Sequence, residues 1–322
     1  MTHTPHSRRT FLQTAALAAG AMALSGGATN RLATADGDTL HVATNQYPWG
    51  TFYGREGRNF DASLDEALGE VASCGLNGYE PLATGPADVE KLAPLLKKHG
   101  LEMRSLYVNS TLHEETGAEK SIQDVLAIAT KAHEIGTRIL VTNPSPIAWG
   151  GAENKTDRQL ETQAAALNRL GQKLRDLGLT LAYHNHDAEL RNGAREFHHM
   201  MLATDPQAVT LCLDAHWLYR GCGNSSVALF DLVELYGKRI SEVHLRQSKD
   251  NVWTEVFTAD GDLDYARLLR QFQQLGIKPH LVLEQCVEAA TPKTLTAREA
   301  HKQDTENVRK LFAGWPDPKQ KT

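Results

Sequence analysis

The chain has 322 residues, 41% of them hydrophobic and 23% charged, a balance that supports a large buried core and excludes a mainly disordered chain. Its formal net charge of −5 argues against a nucleic-acid partner, whose phosphates call for a basic face. No run of about 18 strongly apolar residues is present, which excludes a multi-span membrane protein, while fourteen histidines point toward metal or acid–base chemistry.

The first segment reads as an address. Ser7-Arg8-Arg9-Thr10-Phe11-Leu12-Gln13 precedes a mildly apolar, Ala-rich stretch over 14–27, the twin-arginine pattern of an export signal. Ala33-Thr34-Ala35 supplies small residues for cleavage. The sequence therefore predicts a signal peptide over 1–35 and a mature domain over 36–322. Such a signal hands a folded protein to the twin-arginine translocase, the expected export partner, and implies a periplasmic location. Cys74, Cys212, Cys222 and Cys286 form no CxxC pair. A chain that folds in a reducing compartment before export is expected to keep them as free, mostly buried thiols.

From about residue 39 onward, short apolar runs alternate with longer amphipathic ones. Strands are expected at 40–44, 76–80, 102–108, 138–142, 180–186, 210–214, 240–245 and 280–284. Helices are expected between them, at 62–74, 88–98, 121–135, 157–177, 230–236 and 265–275. Gly75, Gly100, Gly136, Gly178 and Gly276 follow helical stretches, where a left-handed cap favours glycine. Eight strands in one mature domain predict an α/β fold, a single (β/α)8 TIM barrel. A doubly wound sheet would want a glycine-rich turn after its first strand, and Thr44-Asn45-Gln46-Tyr47-Pro48 is not one. The segment 144–155 is expected to loop over the barrel mouth.

In such barrels the chemistry sits at the C-terminal strand ends, and five of the eight predicted strands carry an acid or a histidine at or next to their last residue. Asp214, His244 and Glu284 close three consecutive strands and are expected to converge on one divalent metal ion, a set suited to Mn, Zn, Co or Mg. The fourth ligand is expected from the fifth strand, where His184 and His186 share a face by the period of two. Glu284 is the first choice for acid–base work, with His184 and His186 as further catalytic candidates. Glu80, Asn185, His186, Glu189, His216, Trp217 and Arg246 are candidate substrate contacts. Trp217 with Tyr47 or Trp49 would wall a sugar face. Arg246 and Lys249 would bind an anionic group or pair with Asp250. Glu242 shares parity with His244 and would need a buried partner such as Arg104.

The order of these strand ends resembles the xylose isomerase-like TIM barrels, in particular the sugar phosphate isomerase/epimerase branch. The motifs that carry it are Tyr183-His184-Asn185-His186 with Glu189, Leu213-Asp214 with Trp217, Val243-His244-Leu245, Leu283-Glu284-Gln285, and Gly261-Asp262-Leu263-Asp264-Tyr265. The resemblance implies a divalent metal held by Glu, Asp, His and Glu, with both glutamates moving protons. Asp214, His244 and Glu284 match three of these positions. Ala182 stands in the slot of the first glutamate, three residues before Asn185. The implied activity is a sugar isomerase or epimerase reaction, by proton abstraction next to a carbonyl, on an unphosphorylated sugar or keto-sugar. Alternatives are 3-keto-glycoside cleavage or hydration, an inosose-dehydratase-like elimination, or an inactive periplasmic sugar-binding barrel. The expected partner is a small carbohydrate, and a homo-oligomer is compatible with this reading.

Overall fold

The computed structural model describes residues 40–313 and Trp315. The twin-arginine pattern, the cleavage motif and the boundary at 35/36 lie outside the described residues. Among the described residues the chain alternates strand and helix in the order β1 (Ala43–Asn45), α1 (Gln46–Arg55), α2 (Leu64–Ser73), β2 (Gly78–Glu80), α3 (Pro86–His99), β3 (Ser105–Ser110), α4 (Glu115–Glu134), β4 (Ile139–Pro144), α5 (Asp157–Asp176), β5 (Thr180–His184), α6 (Arg191–Ala203), β6 (Val209–Asp214), α7 (Ala215–Gly221), α8 (Ser226–Tyr236), β7 (Ile240–Leu245), β8 (Ser248–Lys249), β9 (Val252–Trp253), α9 (Tyr265–Leu275), β10 (His280–Leu283) and α10 (Ala297–Leu311). All strands but β8 and β9 form one eight-stranded parallel sheet in the order β2-β1-β10-β7-β6-β5-β4-β3. The short β8–β9 hairpin is antiparallel.

The sheet curls until its two edges meet. Between β2 and β3 there is no continuous ladder, only the bridges Gly78↔Glu102 and Leu82↔Tyr107. A Cβ on Gly78 would come within 2.8 Å of the Glu102 carbonyl oxygen, so this approach requires glycine. The result is the predicted (β/α)8 barrel.

Alternation sorts each strand into two faces. On β5 and β6, Leu181, Tyr183, Leu211 and Leu213 face the helices and join the large core between sheet and helix ring. Ala182 and Cys212 join Tyr107 and Val141 in a separate small cluster inside the barrel. On β7, Val243 and Leu245 belong to the outer layer, while Glu242 and His244 turn inward. Burying each outer leucine is worth about 1.5–3 kcal/mol, and this layer sets the position of every strand end.

Helix α5 shows how closely the layers fit. Its Leu160, Leu167, Leu170 and Leu174 are buried at helical spacing, and Gly171 lies on the same contact. A Cβ there would meet the Ala208 carbonyl oxygen at 2.2 Å. Because the obstacle is backbone, Gly171→Ala is expected to destabilise the protein by about 3 kcal/mol, lowering the melting temperature by roughly 5 °C or more. Thermal unfolding followed by circular dichroism checks this.

Helices α1, α6, α7 and α10 go beyond the sequence expectation. Helix α1 begins directly after β1, with the Asn45 side chain accepting from the Tyr47 N–H. Helix α6 opens through left-handed backbone at Asn192, Gly193 and Ala194. The four cysteines are free, three of them buried. No helix among the described residues is long and apolar enough to cross a membrane.

Candidate active site

Four strand ends deliver one cluster. Strand β5 ends on His184, whose ring enters the barrel while Tyr183 packs outward near Phe197 of α6. Strand β6 ends on Asp214, which caps α7. One of its oxygens accepts from the Trp217 N–H at 2.8 Å, and Oδ2 is left without a hydrogen bond. Strand β7 supplies His244, and Glu284 follows β10 immediately. One donor atom from each of His184, Asp214, His244 and Glu284 lies within 4.8 Å of the others, and all four residues are buried. Neither ring nitrogen of His184 has a hydrogen-bond partner, and His184 Nε2 is 3.9 Å from Asp214 Oδ2. Buried polar atoms rarely go unpaired. Two imidazoles and two carboxylates aimed at one point fit a divalent ion of the hard-to-borderline kind.

The charges are set by burial and by neighbours. Burial, reinforced by His186 and His244, holds His184 well below the ordinary imidazole range, so it is neutral. Burial pushes the Asp214 carboxyl up to about 7 against the opposing pull of Arg246. For Glu284 burial also opposes the charge, but Arg246 and His244 outweigh it and hold the carboxyl well below its usual range. His244 has burial against its charge, yet Cys212, Glu80 and Glu284 raise it well above the imidazole norm.

Arg246 is buried and held through Nε and Nη2, while its Nη1 has no hydrogen-bond partner. Its Nη2 is 2.8 Å from Glu284 Oε2 and 3.6 Å from Asp214 Oδ2, and its Nε donates to the Glu284 carbonyl oxygen at 3.0 Å. The guanidinium carbon is 5.1 Å from the ring centre of Trp217 and 4.7 Å from that of Trp253.

Above the cluster lies a cavity of about 790 Å³, whose lining includes Tyr47, Tyr107, Trp149, His186, Trp217, Arg246 and Glu284. Of the four clustered donors, only Glu284 reaches this lining. The 144–155 loop stands at the mouth as expected, contributing Pro146, Ala148, Trp149 and Gly150. Trp149 meets His186 edge-on at 5.3 Å. Burial pushes His186 down to about 4, so the ring is neutral at physiological pH.

Several sequence-predicted contacts lie elsewhere. Asn185 grips the Asp214 backbone in both directions, at 3.0 and 3.1 Å. Glu189 turns inward, accepting from the His186 N–H at 2.7 Å and from Asn143 Nδ2 at 3.2 Å. Burial and the Glu196 charge push its carboxyl up to about 7. His216 is buried with its Nε2 2.9 Å from Ser248 Oγ. These three support the strand ends and do not line the cavity. His184 likewise belongs to the donor cluster and not to the cavity lining. Trp49 is no cavity wall: it is buried and stacks on His301 of α10 at 4.1 Å. Lys249 pairs with Asp260 at 2.9 Å, not with Asp250.

Glu80 and Glu242 also sit below the cavity floor. His244 Nε2 is 3.1 Å from Glu80 Oε1 and 3.3 Å from Glu242 Oε1. Asn45 Nδ2 donates to Glu80 at 2.7 Å. Glu242 also meets Glu80 and accepts from Cys212 Sγ at 3.4 Å, so its partners are His244, Glu80 and Cys212. Arg104, the expected partner, instead bonds Glu102 at 2.6 Å, ahead of β3. Sequence reasoning missed Tyr107, Asn109, Trp149 and Trp253, because none is the acid or histidine by which strand ends were recognised.

The sequence model of the xylose isomerase-like TIM barrel family matches residues 68–310. The chain belongs to this family. Among characterised relatives, an inosose dehydratase from Mesomycoplasma hyopneumoniae is 25% identical over 224 residues, covering 63% of this chain and 74% of the relative. A xylose isomerase-like TIM barrel protein from Mycobacterium smegmatis, solved in complex with magnesium, superposes with a TM-score of 0.65 at 14% identity. That match covers 87% of this chain and 98% of the other. The 3-keto-D-glucoside 4-epimerase of E. coli superposes with a TM-score of 0.59 at 13% identity, covering 84% and 98%. Within the family frame, the Ala182 slot faces the barrel interior beside Cys212 and offers no carboxylate. The fifth strand's donor is His184, two residues on.

A divalent ion held by this donor set would be bound in an acid-sensitive way. Below about pH 7 Asp214 retains a proton, and His244 also carries one that must leave before its nitrogen can ligate. Protons and metal therefore compete, and affinity falls as pH falls. Divalent-ion affinity is expected to drop about tenfold or more from pH 8 to pH 6, with proton release on binding. Calorimetric titration in two buffers of different ionisation enthalpy measures both.

Proposed function

We propose that the protein is a divalent-metal-dependent enzyme that removes the proton next to a carbonyl of an unphosphorylated sugar, keto-sugar or glycoside, leading to isomerisation, epimerisation or elimination. The observation that carries this reading is the double membership of Glu284, which belongs to the buried donor cluster and also to the floor of the cavity. His184, Asp214, His244 and Glu284 would hold the ion. When bound, it supplies Lewis-acid stabilisation of the oxygen on which charge develops.

The chain's own groups then have distinct tasks. Glu284 Oε2 is engaged by Arg246 and His244, leaving Oε1 to take the proton. Neutral His186, on the cavity wall, is placed to hold a substrate hydroxyl or accept a second proton. Tyr47, Trp149 and Trp217 offer flat apolar surface to a sugar ring. Asp214, through its cap on α7, fixes Trp217 relative to the cluster.

The alanine at position 182 favours chemistry with one acid–base group near the metal. That is the arrangement an elimination needs, and an inosose dehydratase is among the relatives. The twin-arginine pattern supports export, and with it an unphosphorylated substrate.

The test is a panel of keto-sugars and 3-keto-glycosides incubated with metal-loaded protein in D2O. Deuterium at the carbon next to the carbonyl, without mass loss, supports isomerisation or epimerisation. Release of water or of an aglycone supports elimination. Sugar binding with no exchange on any compound overturns the enzyme reading in favour of a binding barrel.

A further inference from the structure

The cavity is larger than the proposed chemistry needs, and the excess lies on one side. The clustered donors come from β5, β6, β7 and the end of β10, which are consecutive in the sheet. The opposite wall, β1 to β4, gives this cluster no donor. Yet most of the cavity lining belongs to that wall and to the segments that follow its strands, from Tyr47 and Gly50 on α1 to Leu82, Asn109 and Trp149. A hexose takes the room of about six waters, roughly 200 Å³ at about 30 Å³ each. Held at the cluster, it would leave about three-quarters of the 790 Å³ unfilled, toward β1–β4.

This far half presents flat apolar surface and little spare polar capacity. Tyr47, Leu82 and Trp149 are 56, 41 and 58% exposed, and all three line the one cavity, with Pro146 and Ala148 beside Trp149 in sequence. Large apolar side chains gathered at one opening mark a place where something docks. Three polar side chains of the same half are spent within the protein. Asn45 donates to Glu80 and accepts from the Tyr47 N–H. Gln46 donates to Asp61 and accepts from the Leu82 N–H. Thr51 donates to the Pro48 carbonyl oxygen and accepts from the Val287 N–H. A second sugar, with a hydroxyl on nearly every carbon, would want the reverse balance. An aromatic ring matches the balance that is there.

We propose that the far half of the cavity is a subsite for a flat, apolar aglycone, so that the substrate is an aryl glycoside or its keto form, with the sugar at the donor cluster and the aryl ring against Trp149. The proposal rests on the carbohydrate reading above and narrows it from sugars in general to glycosides. Trp217, beside Arg246 at the cluster, then serves the sugar, and Trp149 serves the appended ring. His186 stands between the two, its ring centre 5.9 Å from Trp217 and 5.3 Å from Trp149. The loop that carries Trp149 is already tied down. Arg191 Nη1 donates to the Gly151 carbonyl oxygen at 2.8 Å, and the buried Lys155 donates to the Pro144 carbonyl oxygen at 3.1 Å and to Glu196 at 2.7 Å. A fixed platform spares the ordering cost of binding. Across the cavity, a Cβ on Gly50 would meet nothing within 4 Å, so the aglycone has room on that side.

The experiment is calorimetric titration of the protein, in the presence of Mg2+, with phenyl glucosides, methyl glucosides and cellobiose, both anomers of each simple glucoside being used. A phenyl glucoside should bind about tenfold or more tightly than the methyl glucoside of the same anomer, and more tightly than cellobiose. Trp149→Ala removes the platform and should bring the phenyl-to-methyl ratio down toward one. Gly50→Phe puts a ring into the open space and should abolish the phenyl advantage while the methyl glucosides still bind. Equal binding of phenyl and methyl glucosides overturns the subsite, as does cellobiose binding more tightly than either, or a phenyl advantage that survives both substitutions. The proton-abstraction reading stands in each of those cases. The wild-type comparison decides the matter even where a variant fails to fold. A phenyl advantage in a protein that exchanges deuterium into no keto-sugar or keto-glycoside supports the subsite and overturns the catalytic reading alone. A protein that binds none of the glucosides overturns the subsite together with the carbohydrate reading it rests on.

Discussion

Glu284→Gln is expected to reduce turnover by about a thousandfold or more, the upper range for loss of a proton-transfer group that also bears on a metal. The amide keeps the size of the side chain but can neither accept a proton nor offset the two cations beside it. Arg246 and His244 would then share what charge remains on Asp214 and Glu80. Leaving a buried cation without its partner costs about 3–5 kcal/mol, so the variant should also melt lower. Rates of deuterium exchange into substrate, measured beside a thermal melt and a metal analysis, separate the effects. A variant with normal metal content and full exchange activity would remove Glu284 from the chemistry.

Asp214→Asn should act on the metal with little effect on the fold. Asparagine caps a helix about as well as aspartate, so the contact to the Trp217 N–H and the start of α7 survive. What is lost is one of the two negative charges in the cluster and the unpaired Oδ2. Affinity for Mn2+ or Mg2+ is expected to fall by about a hundredfold or more. The dependence of uptake on pH near 7 should flatten at the same time, because the Asp214 carboxyl is the group pushed up to about that value. Asp214→Ala adds the loss of the cap, a further cost of about 1 kcal/mol. Comparing the two by calorimetry and thermal unfolding tells charge from cap.

The barrel was legible because its strands are short apolar runs set off by glycine-ended helices. The cluster was legible because Asp214, His244 and Glu284 each stand at the end of such a run. The period of two also turned Glu242 inward with His244. It could not say what Glu242 meets, since the period gives the direction of a side chain and not its partner across the barrel. The choice between His184 and His186 stayed open for a similar reason. Both share a face only if the strand continues, and β5 stops at His184. His186 therefore departs from the donor cluster and joins the cavity wall. Asn185, Glu189 and His216 show the limit of reading polar residues near strand ends as substrate contacts. A buried polar side chain must be hydrogen-bonded, and backbone or loop partners satisfy it as well as a ligand does. Helix α10 was hidden because its buried face carries Ala297, Ala300, His301, Asp304 and Thr305, residues that do not mark an apolar stripe.

The narrow closure between β2 and β3 bears on how the barrel comes apart. Four backbone hydrogen bonds span it, from Tyr79 to Glu102, from Glu102 to Asn77, from Ala83 to Tyr107 and from Tyr107 to Pro81, whereas β3 and β4 pair through six residues in register. Cooperative units with few cross-links are the first to open in the native state. The amide protons of Tyr79, Ala83, Glu102 and Tyr107 should accordingly exchange with solvent ahead of those in the ladders from β3 through β7. Residues 40–100 would then swing as a flap hinged on β10, with Leu82 at its free margin and Tyr107 facing it across the seam. Both residues line the cavity, so the line along which the barrel opens runs through the doorway of its own active site.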